Sequence, residues 1–79
     1  MKVTVKYFAA LKDERGVGEE TLDNSPQTPA LLYSHLKGIH EFSFCPSKLK
    51  VAVNDEFSDW DSSLSDGDTV VFIPPVAGG

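Results

Sequence analysis

Val3, Val5 and Tyr7 alternate with Lys2, Thr4 and Lys6 at the start of the chain. A period of two with β-branched side chains predicts a strand buried on one face. Phe8 breaks the pattern by falling on the polar side. Ala9 to Arg15 is rich in helix formers and stops at Gly16, which predicts a short helix or turn. Glu19 to Leu22 is a brief candidate strand that would complete a long-connection hairpin with the first. Asn24 to Pro29 carries turn chemistry. Thr28 then reads as an N-cap, with Pro29 at the first helical position, where a missing N–H costs nothing. Ala30, Leu31, Leu32, Leu36 and Ile39 follow at helical spacing, and Gly38 offers a terminator.

Ile39 to Pro46 is irregular and aromatic, and Phe42 and Phe44 are expected to cover one end of the core. Leu49, Val51 and Val53 alternate with Lys48, Lys50 and Ala52, a second half-buried strand. Asn54-Asp55 signals a turn, and Glu56 to Trp60 suits a short edge strand. Asp66-Gly67-Asp68 supplies a tight turn needing positive φ. Thr69 to Ile73 is the most β-prone stretch. One helix across one face of a mixed sheet is an α+β layer architecture. With the first and last strands paired centrally, this order fits a β-grasp, ubiquitin-like fold. The organisation expected is a globular domain over 1–73 and an extended tail over 74–79.

Composition narrows the function. Seventy-nine residues leave little room for a deep cleft inside a single small core, which argues against a self-sufficient enzyme. The net charge of −5 repels phosphate backbones and anionic lipid, so nucleic acid and membrane are poor partners. On net charge alone, a basic partner surface is expected. The opening stretch lacks the apolar core of a signal peptide and no later run approaches transmembrane length. A soluble, reducing, cytoplasmic setting is the expectation.

Candidate chemistry within the body is sparse. His35 and His40 are five apart, the wrong spacing for one helical metal face. The acidic run from Asp55 to Asp68 fails the calcium-loop pattern, because Gly67 is misplaced and no glutamate follows. It reads as a solvated flank. Cys45, the single cysteine, is expected to be a small core hydrophobe among aromatic neighbours. The serines stand in no nucleophile elbow and no glycine loop cradles phosphate.

The remaining candidate is "FIPPVAGG", Phe72 to Gly79. Pro74-Pro75 cannot continue a hydrogen-bonded ladder, and two prolines favour a stiff, extended exit. Val76 to Gly79 reaches at most roughly 13–14 Å when stretched, enough to enter a partner's cleft. Glycine has no Cβ, so the Gly79 acyl carbon is open from either face. A carboxylate must be activated before it can donate, for instance as a mixed anhydride with AMP. This chain offers no nucleotide site, so a partner using ATP and Mg²⁺ would do it. The activated carbonyl could then pass to sulfur or to an amine.

The chain resembles the small, sulfur-carrying subunit of molybdopterin synthase. The resemblance rests on an opening strand leading into Tyr7-Phe8-Ala9-Ala10, on "LSDGD" at Leu64 to Asp68, and above all on "FIPPVAGG". It implies that Gly79, presented by Gly78, is adenylated by a ubiquitin-activating-enzyme-like partner and converted to a thiocarboxylate with a sulfurtransferase. It implies that the tail enters the large synthase subunit and gives sulfur to a cyclic pterin precursor. Two deliveries build one dithiolene, in a heterotetramer whose catalytic residues belong to the large subunit. The small subunit itself binds no cofactor and catalyses nothing alone.

The resemblance also implies partner contacts at Phe8, Ile73, Pro74, Pro75, Val76 and Ala77, and at a basic residue after the first strand, for which Lys12 is nearest. From the residues themselves two orientations stay open. Phe8 either caps the core or faces out, and Ile73 either joins it outside or points inward with the parity of Val71. Three other functions remain. One is the related sulfur carrier for thiamine's thiazole ring; another is a ubiquitin-like modifier joined to lysines through Gly79. The last is a plain interaction domain with an inert tail.

Overall fold

The computed structural model describes residues 1–75. In chain order it comprises β1 (Val3–Tyr7), α1 (Ala9–Arg15), β2 (Glu19–Leu22), α2 (Pro29–His40), a 3₁₀ turn (Pro46–Lys48), β3 (Lys50–Val53), β4 (Glu56–Phe57) and β5 (Thr69–Ile73). The strands form one mixed sheet in the order β2-β1-β5-β3-β4. The first and last strands run parallel at its centre, with Thr4 opposite Thr69 and Tyr7 opposite Phe72. The hairpin β1–β2 and the pair β3–β5 are antiparallel. This is the β-grasp arrangement expected from the element order.

Alternation decides which face is buried. Val3, Val5, Tyr7, Val51, Val70 and Phe72 point inward and meet Leu32, Tyr33 and Leu36 of α2. Tyr33 is the hub of the aromatic packing. Its ring lies 5.1 Å from Phe72 and 6.0 Å from Phe42, while Trp60 stacks on Phe72 at 5.8 Å. Such pairs each add about 0.5–1.5 kcal/mol beyond area burial. Phe42 and the half-buried Phe44 close one end of the core.

Helix α2 begins as the sequence predicts. Thr28 accepts the N–H of Leu31, and Pro29 opens the first turn. Its end differs from expectation. Gly38 does not terminate the helix, which continues to His40 and closes on Glu41 in the left-handed conformation, with the Glu41 N–H bonded to the Lys37 carbonyl. The segment after it is pinned by three side chains: Tyr33 Oη donates to the Phe44 carbonyl, Lys37 Nζ to the Phe42 carbonyl, and Glu14 accepts both the N–H and the hydroxyl of Ser43. Burial first, with the Glu14 charge behind it, pushes the Tyr33 phenol up to about 12.

Three more readings are corrected. Leu31 and Ile39 are exposed on the outer side of α2, while Tyr33 takes the core position between Leu32 and Leu36. Cys45 is exposed and is no core residue, because the aromatics beside it turn inward and leave it outside. The edge strand stops at Phe57, so Trp60 reaches the core from a loop.

The acidic flank is occupied in turn-making. Asp66 accepts the N–H of Lys2, and Asp68 accepts the N–H of Ser65 and the side-chain amide of Asn54. Gly67 sits at φ 89°, as the turn requires. Asn54 and Asp55 both have positive φ, which makes the β3–β4 connection a two-residue hairpin turn whose twist matches that of its strands. No helix among the described residues is long and apolar enough to cross a membrane. No group of potential metal ligands occurs among them either.

Candidate functional site

The outer face of the sheet is built from the residues that the core leaves over. Val71 and Ile73 alternate with the buried Val70 and Phe72, so both point away from α2. Across the ladder, Val71 lies between Lys6 of β1 and Ala52 of β3, and Ala52 is in turn opposite Phe57 of β4. Ile73 lies opposite Lys50. Beyond the end of β1, Phe8 is 60% exposed, which settles its orientation: it faces out. Phe57, at 76%, is the most exposed large apolar residue described.

These side chains line one groove of about 290 Å³, formed by Phe8, Ala52, Asp55, Phe57, Val71 and Ile73. A second groove begins where the first ends. Phe8, Ala9, Ala10, Ile73, Pro74 and Pro75 line it, with Asp13 at its rim. The apolar surface thus runs without a break from the middle of the sheet to the point where the chain leaves β5. Contiguous exposed apolar surface of this kind marks interaction sites on small domains.

The sequence candidates are distributed as follows. Phe8, Ile73, Pro74 and Pro75 come together. Lys12 stands apart: its stem lies against Gly18 in the α1–β2 connection, and it lines neither groove. Val76, Ala77, Gly78 and Gly79 fall outside the described residues. Sequence reasoning missed Ala52, Phe57 and Val71. A signal was available in β5, whose run Thr69-Val70-Val71-Phe72-Ile73 is apolar on both faces, more than a strand with one solvated face needs.

The strand that leads into Phe8 is held by side-chain hydrogen bonds. Tyr7 Oη donates to Glu20 Oε2 at 2.7 Å, and Arg15 Nε donates to the same oxygen at 2.6 Å. His40 Nε2 stands 3.3 Å from it. Burial alone would raise the Glu20 carboxyl, but the bonds from Arg15 and Tyr7 outweigh it and hold the group below the usual carboxylate range. Burial and the Glu20 bond raise the Tyr7 phenol. One carboxylate therefore ties β1, α1 and β2 together beside the exposed Phe8. Among the described residues the arrangement brings no nucleophile to a neighbouring base. It offers instead an apolar face that continues to Pro74 and Pro75.

A mixed sheet in this order, a helix on one face and an open apolar surface on the other define a ubiquitin-like β-grasp domain. Over residues 5–79 the chain matches the ThiS family, and it belongs to that family of ubiquitin-like sulfur carriers. Solved structures agree. SAMP1 from Haloferax volcanii is similar with a TM-score of 0.83 and 25% identity, over 100% of both chains. A Pyrococcus furiosus protein assigned as molybdopterin converting factor subunit 1 is 32% identical, with a TM-score of 0.78 over 96% of this chain and 99% of that one. A chain of the complex of subunits 1 and 2 of molybdopterin-converting factor from Helicobacter pylori 26695 gives a TM-score of 0.66 and 25% identity over 100% of both chains. Among curated protein sequences none matches.

Proposed function

We propose that this chain is the sulfur-carrying small subunit of a cytoplasmic molybdopterin synthase, with the carboxylate of Gly79 as its working group. The Gly79 carboxylate attacks the α-phosphate of ATP, held with Mg²⁺ by a ubiquitin-activating-enzyme-like partner, and pyrophosphate leaves. A sulfide equivalent delivered with a sulfurtransferase displaces AMP and leaves a thiocarboxylate. In the large subunit the sulfur moves to a cyclic pterin precursor, and water restores the Gly79 carboxylate. Two rounds supply the two sulfurs of the dithiolene. The chain contributes presentation, not catalysis: Pro74 and Pro75 stiffen the exit, and the groove at Phe8, Ile73 and Phe57 seats the partner.

The observation that carries this reading is the 32% identity to the Pyrococcus furiosus protein across almost the whole of both chains. The experiment is an intact mass spectrum of protein from its native cell. One oxygen-for-sulfur exchange localised to Gly79 is the expected result. A chain that never acquires sulfur there would overturn it. Deletion of the gene should abolish molybdenum-enzyme activity; loss of thiamine synthesis instead would assign the chain to thiazole formation.

The likeness to SAMP1 favours a second reading, conjugation of Gly79 to lysine amines. Isopeptide adducts of this chain on other proteins would establish it.

A further inference from the structure

The chain leaves the sheet between two largely apolar grooves, only one of which is bordered by lysines. On one side of Pro74 and Pro75 are Phe8, Ala9 and Ala10, with Asp13 at the rim. On the other, a groove of about 270 Å³ is lined by Lys48, Lys50, Ile73 and the same two prolines. Lys48 ends the 3₁₀ turn and Lys50 opens β3 opposite Ile73, so both are fixed by backbone elements right beside the exit. Both are exposed. Neither ammonium takes part in an ion pair among the described residues; the two pairs found there belong to Glu20. In a chain with 12 acidic and 7 basic residues, two unneutralised lysines at this point reverse the local sign of charge.

We propose that the partner which receives the stem carries carboxylates at the mouth of its cleft, on the side that meets Lys48 and Lys50, and an apolar surface on the side that meets Phe8. The stem is thus gripped by a two-sided collar. Net charge alone points to a basic partner, but interfaces respond to the charge they touch, and the charge beside the exit is positive. The asymmetry also fixes rotation about the stem. A partner turned the wrong way would set its carboxylates against Asp13 and leave both lysines facing apolar surface, and like-charge contacts of that kind discriminate strongly. The lysines act mainly on the rate of encounter, the apolar wall on the lifetime of the complex. The inference rests on the reading of the chain as a docked carrier.

The test is the association rate of the full chain with two purified proteins, the large synthase subunit and the adenylating enzyme. It is read at ionic strengths of about 0.01 M and about 1 M, between which the screening length falls from about 30 to about 3 Å. The double variant K48E/K50E is expected to associate about tenfold more slowly at low salt, with the difference largely lost at high salt and the dissociation rate little changed. Each single reversal should slow association more than Lys2→Glu, an exposed lysine at the opposite end of β1. Circular dichroism verifies that the variants are folded. Association of K48E/K50E at the wild-type rate, or equal slowing by Lys2→Glu, overturns the collar. Wild-type binding to the adenylating enzyme but not to the large subunit removes the molybdopterin assignment while leaving the collar to stand or fall on the adenylating-enzyme rates. Binding to neither overturns both.

Discussion

Phe57 lies directly across the ladder from Ala52, and the small side chain opposite leaves the ring standing over an open groove rather than packed. An aromatic that stabilises nothing within its own domain is available to another. Phe57→Asp is therefore expected to leave the melting midpoint within the equivalent of about 0.5 kcal/mol of the parent, while weakening the large-subunit complex by about 2 kcal/mol or more, the scale of an interface hot spot. Thermal denaturation and titration calorimetry on one preparation check both halves.

Phe8 and Phe72 make the matching contrast. Phe8 is mostly exposed and Phe72 is wholly buried, although each stands at the same end of the sheet. Phe8→Asp should weaken docking and leave a folded domain. Phe72→Ala should cost about 3–5 kcal/mol through lost burial and a residual cavity, a large part of the stability of so small a chain. Denaturant unfolding of the two variants should separate them cleanly.

The Glu20 hub sets an acid limit. Its carboxyl is held below the usual range in the fold by Arg15 and Tyr7, against the opposing effect of burial. A depressed folded-state pKa gives stability that is complete above the ordinary carboxylate value, about 4.3, and is lost as pH falls through the lower folded value. Glu14 is also lowered, by the hydroxyl and then the N–H of Ser43, and acts in the same window. Glu20→Gln should reduce stability at neutral pH by about 1–2 kcal/mol and flatten the decline below about pH 4. Melting curves across pH 2–7, an interval spanning roughly the carboxylate range, would show it.

Asn54 combines two tasks. It holds positive φ in the β3–β4 turn, and its side chain donates to Asp68 and accepts the N–H of Thr69. Asn54→Ala removes both bonds and places a Cβ without polar compensation in the left-handed region. The expected loss is about 1–2 kcal/mol. Asn54→Gly, which keeps the backbone freedom, should recover part of it. Chemical denaturation of the pair measures the split between turn geometry and side-chain bonding.

On the proposed function, the position of the Gly79 carbonyl matters more than its packing. Removing Gly79 is expected to abolish sulfur transfer and leave the melting midpoint unchanged, because termini contribute little to a core. Adding one residue beyond Gly79 should be equally damaging, since the activated carbonyl would move. Single-turnover sulfur transfer with intact-mass verification of each chain tests both variants.

Much of the architecture was written in local signals. The alternation of Val3, Val5 and Tyr7, the Thr28-Pro29 cap and the Asp66-Gly67-Asp68 turn each have a sufficient local cause. The departures have physical reasons as well. Helix α2 carries leucine or isoleucine on both sides, so Leu31 and Ile39 competed with the true core phase of Pro29, Leu32, Tyr33 and Leu36. Tyr33 is absent from the leucine and isoleucine spacing, and it joins the core with its hydroxyl satisfied by the Phe44 carbonyl. Gly38 does not end the helix because Glu41 takes the left-handed position three residues later. The docking face was only partly legible. Phe8 drew notice by breaking a period, but Phe57 sits in a two-residue strand where no period exists, and its partnership with Val71 and Ile73 depends on long-range register.

Strand β5 is hydrogen-bonded on both flanks, to β1 in parallel and to β3 in antiparallel. A pull applied beyond Pro75 runs along that strand, across ladders whose bonds lie transverse or slanted to it. Such a load strains many bonds together in shear instead of opening them one after another. Withdrawal from a tight enclosure should therefore extract the stem while the sheet stays intact. Single-molecule stretching between β1 and β5, which are adjacent and parallel, should need more force than peeling β4 from its edge.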